Sequence, residues 1–373
     1  MTIKFSNPIS GRKKPLHLNS LFLFHPDVIL KLSGLSISGM MKESGLESIH
    51  KRMTNIGDEE AAKRLANDML NRMPSLPESI VAAIQGNTEA QAYHETIGAW
   101  EAIMMGYSPS EDQWPEQIKF LIAIERSTDQ SWKLFHEQQY DEAVSLLLNS
   151  PLVHLLLWPE AIDILKKGTS LQSILPLRGL IALEVLLSFL SALDAITCHS
   201  LSKSDSLALD VLPTTHTGNK NPTALFFRWI KKQTGLDSIS VMLDAYKPDT
   251  QNKSETLDES LLKRWSNGSH MPSEEALRRF LESFFPDPNA KEIWMRHYAT
   301  KCLTFIGYQA QQLQKITTTD ATTNLLKEAH RPLPDMPFGF KTIESWFENR
   351  YPYWFDYHYK QINGEGIKPS PGN

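Results

Sequence analysis

The chain has 373 residues, 41% of them hydrophobic and 22% charged, with a net charge of −5 at neutral pH. That is enough chain for two or three domains with sizeable cores, and the composition is neither disordered nor fibrous. The negative balance excludes a surface given over wholly to nucleic acid, while leaving room for a local basic patch.

Two cysteines, Cys198 and Cys302, are too few for a disulfide framework or a cysteine-rich zinc site, which fits a reducing compartment. Residues 1–20 are expected to be loosely ordered. Their basic cluster Arg12-Lys13-Lys14 could touch phosphate, although a solvated tail is the commoner outcome. The first 30 residues lack the basic–apolar–cleavage order of a secretory signal, so a cytoplasmic protein is expected.

Helical signals then follow one another. Leu21–Leu32 is apolar and broken at Pro26. In Asp58–Met73 an aspartate caps a face of Ala62, Leu65, Met69 and Met73. Glu78–Gln85 and Glu89–Met105 each end at a glycine, and Pro115–Ser150 continues the pattern. The scarcity of alternating β-branched runs predicts an all-α fold. Leu177–Thr197 is long enough to span a bilayer. Arg178, Glu184 and Asp194 interrupt it, and charge near a bilayer centre is expensive. It is therefore expected to be the central helix of a bundle, with no membrane partner.

Residues 1–200 are read as that N-terminal helical bundle. His199–Asn221 is rich in Ser, Thr, Asp and Gly, which predicts a linker over residues 201–221. Residues 222–330 form a second helical domain, and 331–373 a proline-rich connection with an aromatic tail. Ala290–Thr317 is a predicted long helix. Between Trp346 and Tyr359 lie eight aromatic residues, suited either to stacking on bases or to latching a C-terminal helix onto the body; the latch is favoured.

The most informative stretch is Leu257–Phe285. Leu257, Leu261, Leu262 and Trp265 share one helical face, and Asn267-Gly268 stops that helix. Pro272 and Ser273 open a second helix, with Glu274 and Glu275 at its positive end and Leu277, Phe280, Leu281 and Phe284 on its apolar face. The run Lys263-Arg264-Trp265-Ser266-Asn267-Gly268, followed by Pro272-Ser273 and a leucine-rich helix, resembles the lambda-repressor-like (XRE-type) helix-turn-helix domain. Ala224–Gly235 and Asp237–Tyr246 would be its first two helices, so the resemblance covers about 222–285. It implies that Leu257–Trp265 is a recognition helix for double-stranded DNA. Ser260, Lys263 and Arg264 would then meet bases or phosphates, and Ser269 and His270 the backbone. The ten residues Lys247–Thr256 make a longer connection than the family uses, and Pro222–Phe285 balances nine basic against nine acidic side chains.

Other chemistry is sparse. No phosphate loop, dinucleotide fingerprint or nucleophile elbow occurs. Glu47-x-x-His50 has metal-ligand spacing but no second copy, and His94-Glu95 with Glu101 offers no convergent partner. No cofactor, metal or catalytic residue is therefore assigned. The expectation is a non-enzymatic DNA-binding, regulator-like protein, acting as an oligomer or within a larger complex. A helical protein–protein interaction scaffold is the alternative.

Overall fold

The computed structural model of the protein describes residues 3, 5, 64 and 67, and residues 110–319 and 340–365 apart from 115, 167–169, 219, 237 and 247–257. Among these residues the regular structure is all helical, with no strand, so the fold is all-α as its periodicity predicts. The segment Leu21–Leu32, the basic cluster Arg12–Lys14, the predicted helices at 78–85 and 89–105, the Glu47/His50 and His94/Glu95/Glu101 groupings and the 247–256 connection lie outside the described residues. Of Asp58–Met73, Arg64 and Asn67 are described, and both are helical.

The chain divides into two compact units. One comprises Pro15–Trp158 and Leu165–Ala182, the other Met1–Lys14, Pro159–Ile164 and Leu183–Asn373. In the first unit, α1 (Glu116–His136), α2 (Tyr140–Leu148) and the short α3 (Pro151–Leu156) follow one another closely. Ala143, Leu147, Val153 and Leu156 are buried. The buried Ser131 hydroxyl donates to the Ala143 carbonyl at 3.0 Å, tying α1 to α2. After α4 (Pro159–Lys166) comes the longest described helix, α5 (Ser170–Ser200). It starts earlier than the predicted Leu177 and runs through Pro176, which forgoes one backbone bond near its beginning.

The second unit is organised by two carboxylates on α5. Glu184 and Asp194 are both fully buried. Burying a charge is costly unless it is paired and hydrogen-bonded, and both are. Among the described residues, the C-terminal helix α11 (Ile343–Ile362) supplies four donor groups to Glu184. The indoles of Trp346 and Trp354 donate at 2.6 Å, one to each carboxylate oxygen. Arg350 donates from Nε at 3.2 and 3.1 Å and pairs through its terminal nitrogen at 3.1 Å. The spacing 346, 350, 354 places the three on one helical stripe. The tail therefore behaves as the expected latch: one helix, capped by Thr342 through a reciprocal box with Ser345, with Pro352 on its exposed side.

Asp194 accepts from Ser206, from the Tyr351 hydroxyl at 3.0 Å, and from the Leu207 and Ala208 amides at 3.2 and 3.3 Å. Burial raises its carboxyl above the ordinary value, against the lowering effect of these four bonds. Residues 201–221 are thus no free linker. Ser206–Ala208 and Val211–Pro213 are buried, and Ala208–Val211 forms a 3-10 turn. Small polar residues are used here to satisfy a buried anion, a role that composition alone cannot separate from a linker. The N-terminus also departs from the expected loose order. Ile3 and Phe5 are buried, and the Gln311 amide brackets their backbone, donating to the Ile3 carbonyl at 2.6 Å and accepting from the Phe5 amide at 3.3 Å. A Cβ on Gly307 would come within 2.4 Å of the Phe5 ring, so this glycine makes room for that ring.

Gly179–Ser200 is long and apolar enough to cross a membrane, yet 83% of its most apolar window is buried within the fold. With Glu184 and Asp194 both satisfied within the fold, it is a buried core helix, and its Leu183–Ser200 part belongs to the second unit.

Candidate functional site

Between the 3-10 turn and α11 the described residues hold five helices: α6 (Pro222–Thr234), α7 (Ile239–Ala245), α8 (Glu259–Ser266), α9 (Glu274–Glu282) and α10 (Lys291–Thr319). Their ends obey local rules. Asn221 caps α6 by accepting from the Ala224 amide, and Gly235 ends it in the left-handed region at φ 68°. Ser238, Asp258 and Ser273 cap α7, α8 and α9, each accepting from the backbone three residues on. Of the pair Pro272-Ser273 expected to open this helix, Ser273 is the cap. Pro272 lies just before it, buried, outside the helix rather than in its first turn.

An aromatic triangle holds α6, α8 and α9 together. The rings of Phe227, Trp265 and Phe280 are 5.8 to 6.0 Å apart pairwise. Pairs at such distances each add about 0.5–1.5 kcal/mol beyond burial. Trp265 and Leu262 are buried, which fixes the rotation of α8 about its axis. On α6, Trp229 stacks on Phe285 at 6.1 Å, and the buried Arg296 guanidinium lies over the Trp229 ring at 4.4 Å. Arg296 is bound at 2.7 Å by Asp210.

All five sequence-predicted site residues are exposed. Ser260, Lys263 and Arg264 occupy i, i+3 and i+4 of α8, off the stripe that Leu262 and Trp265 bury. The turn brings Ser269 and His270 back to the same end of the helix. The Ser269 hydroxyl and the His270 amide both donate to the Arg264 carbonyl, at 3.3 and 3.1 Å. Lys263 pairs with Glu259 at 2.7 Å, both side chains being more than half exposed. Such an i, i+4 surface pair is worth only about 0.3–0.5 kcal/mol, so it does not commit the amine against a stronger anion. Arg264 has no carboxylate partner among the described residues.

No protein-family model, curated protein or solved structure matches this chain.

Two further residues, Asn221 and Gly268, shape the site. The Asn221 amide donates to the Gly268 carbonyl at 2.8 Å while its oxygen caps α6. Gly268 itself sits at φ 73°, and a Cβ there would fall 1.8 Å from the Asn221 oxygen. The dipeptide Asn221-Pro222 is legible as a helix start. Its bond to a turn 47 residues later is not. Arg278 lies over the Trp294 ring at 5.6 Å, and Arg279 pairs with Glu275 one turn earlier. These two cations are thus partly engaged within the fold.

Proposed function

We propose that the protein binds double-stranded DNA through α8, as a regulator-like protein acting in an oligomer or larger complex. The observation carrying this reading is the division of α8. Its apolar stripe is locked into the aromatic triangle, while Ser260, Lys263 and Arg264 project outward beside Ser269 and His270. A rigid helix presenting short polar and cationic side chains suits a major groove, where phosphate contacts position and base contacts specify. Lys263 and Arg264 would neutralise phosphates or donate to guanine edges. Ser260 would donate to a base or phosphate, and Ser269 and His270 would hold the backbone.

The test is fluorescence anisotropy with a labelled random duplex at about 50 and 200 mM salt. Affinity should fall at least about ten-fold between them, as several phosphate contacts require. The double variant Lys263→Ala/Arg264→Ala should lose binding and flatten the salt dependence. Unchanged binding by that variant would remove α8 from the interface.

A protein–protein scaffold is the second reading. It is favoured by the exposed Asp258 and Glu259 at the leading end of α8, which oppose phosphate, and by the even charge balance of 222–285. It predicts no salt-sensitive duplex affinity.

A further inference from the structure

Resting on the DNA-binding reading, we infer that Asn221 is a positioning residue: it fixes the turn that carries Ser269 and His270 relative to the rest of the module. The side chain does two separate things. Its oxygen accepts from the Ala224 amide at 3.0 Å, completing the first turn of α6. Its nitrogen donates to the Gly268 carbonyl at 2.8 Å, in the turn between α8 and α9. One planar group thus ties the start of α6 to the end of α8.

The fit around this bond is tight. Gly268 is buried, left-handed, and leaves no space for a Cβ against the Asn221 amide. Beside the Ser269 hydroxyl bond, three backbone amides lock the same turn from the α8 side: Gly268 to Trp265 carbonyl at 3.0 Å, His270 to Arg264 carbonyl at 3.1 Å, and Ser269 to the Asn267 side chain at 2.9 Å. Those three hold the turn to its own helix; among the described residues, Asn221 is what holds it to α6 by a side-chain hydrogen bond. Backbone contacts to nucleic acid need donors placed to within a fraction of an ångström. The clamp therefore acts on binding through Ser269 and His270 without touching DNA itself.

Asn221→Asp separates the two roles. Aspartate caps a helix about as well as asparagine, so α6 persists, but it cannot donate to the Gly268 carbonyl. Asn221→Ala removes both roles. We compare the full-length variants by duplex anisotropy over a salt series, well below their melting temperatures, and by hydrogen exchange of amides 264–270. With Asn221→Asp, the Gly268–His270 amides should exchange at least ten-fold faster while α6 amides stay protected. Affinity should drop in the neutral Asn221→Ala as well as in Asn221→Asp, so that the loss is not the added charge repelling phosphate, while Lys263 and Arg264, which set the salt slope, are untouched. A purely structural role would leave the affinity of folded Asn221→Ala unchanged, and that result overturns the inference. Should the wild type bind no duplex, the DNA reading falls on that count alone. The clamp then stands or falls on the exchange data, and unchanged exchange in Asn221→Asp overturns it in every case.

Discussion

Arg350→Met is the sharpest test of how the second unit is held together. The guanidinium lies 3.1 Å from the fully buried Glu184 carboxylate. At that separation, with an effective dielectric constant near 20, the attraction is about 5 kcal/mol. It is set against the desolvation of both ions, so the intact pair contributes little net stability. Removing one partner is different. Methionine would fill much of the arginine stem but leave the carboxylate with only the two indole donors. The expected loss is about 3–5 kcal/mol, or roughly 10 °C of melting temperature for a unit of this size. The assay is urea denaturation followed by tryptophan fluorescence, because Trp346 and Trp354 report from the affected site. Adding Glu184→Gln to Arg350→Met should restore part of the loss, since the stranded charge is then gone while a side-chain oxygen still accepts from an indole. The reasoning is refuted if Arg350→Met costs under about 1 kcal/mol, or if the double variant is less stable than the single.

Other expectations follow from the same geometry. Gly268→Asn should cost about 2–4 kcal/mol in a melting experiment, because the new Cβ displaces the Asn221 amide and breaks its bonds. Gly235→Asn should cost less, about 1 kcal/mol, by the same measurement: at φ 68° asparagine bears only the backbone strain, because nothing lies within 4 Å of the added atom. His297 is fully buried beside Phe226 and Trp294, and burial, aided by repulsion from Lys301, lowers its pKa to about 3. It stays neutral in the fold while the unfolded chain takes up a proton below about 6.5, so stability is lost as pH falls. At pH 5 this amounts to about 2 kcal/mol, and denaturation of His297→Phe at pH 7 and 5 should show that much less acid loss. Asp194 has the opposite sign. Its raised carboxyl makes the native state the better proton binder, so its contribution is lost as pH rises from the unfolded value toward the folded one. The stability gap between Asp194→Asn and the wild type should therefore narrow as pH climbs above about 4; a constant gap would contradict the assignment.

Much of the fold could be read from the chain because its signals are local. Apolar stripes, caps and stop glycines place α6, α8 and α9 to within a few residues, and the apolar run with two acids identified α5 as a core helix. What escaped is non-local. Glu184 and Asp194 looked like interruptions of a hydrophobic segment, and their partners lie far along the chain. The Trp346/Arg350/Trp354 stripe is visible as one helical face, but nothing in its spacing names the anion it receives. Residues 201–221 have a linker's composition and a liganding role. In the candidate site, exposure of Ser260, Lys263 and Arg264 followed from the buried stripe opposite them. The second bond of Asn221 could not be foreseen, because a cap residue shows only the helix that it starts.

The position of α11 at the far end of the chain has a consequence for biosynthesis. Glu184 is translated 162 residues before Trp346, the first of its donors. At about 5–20 residues per second, α5 waits roughly ten to thirty seconds for the side chains that neutralise it. Throughout that interval its most apolar stretch has no native cover from the C-terminal helix, and its two acids must stay hydrated. A chain that stops short of residue 346 cannot complete this unit, so premature termination should yield an aggregation-prone product rather than a smaller folded one.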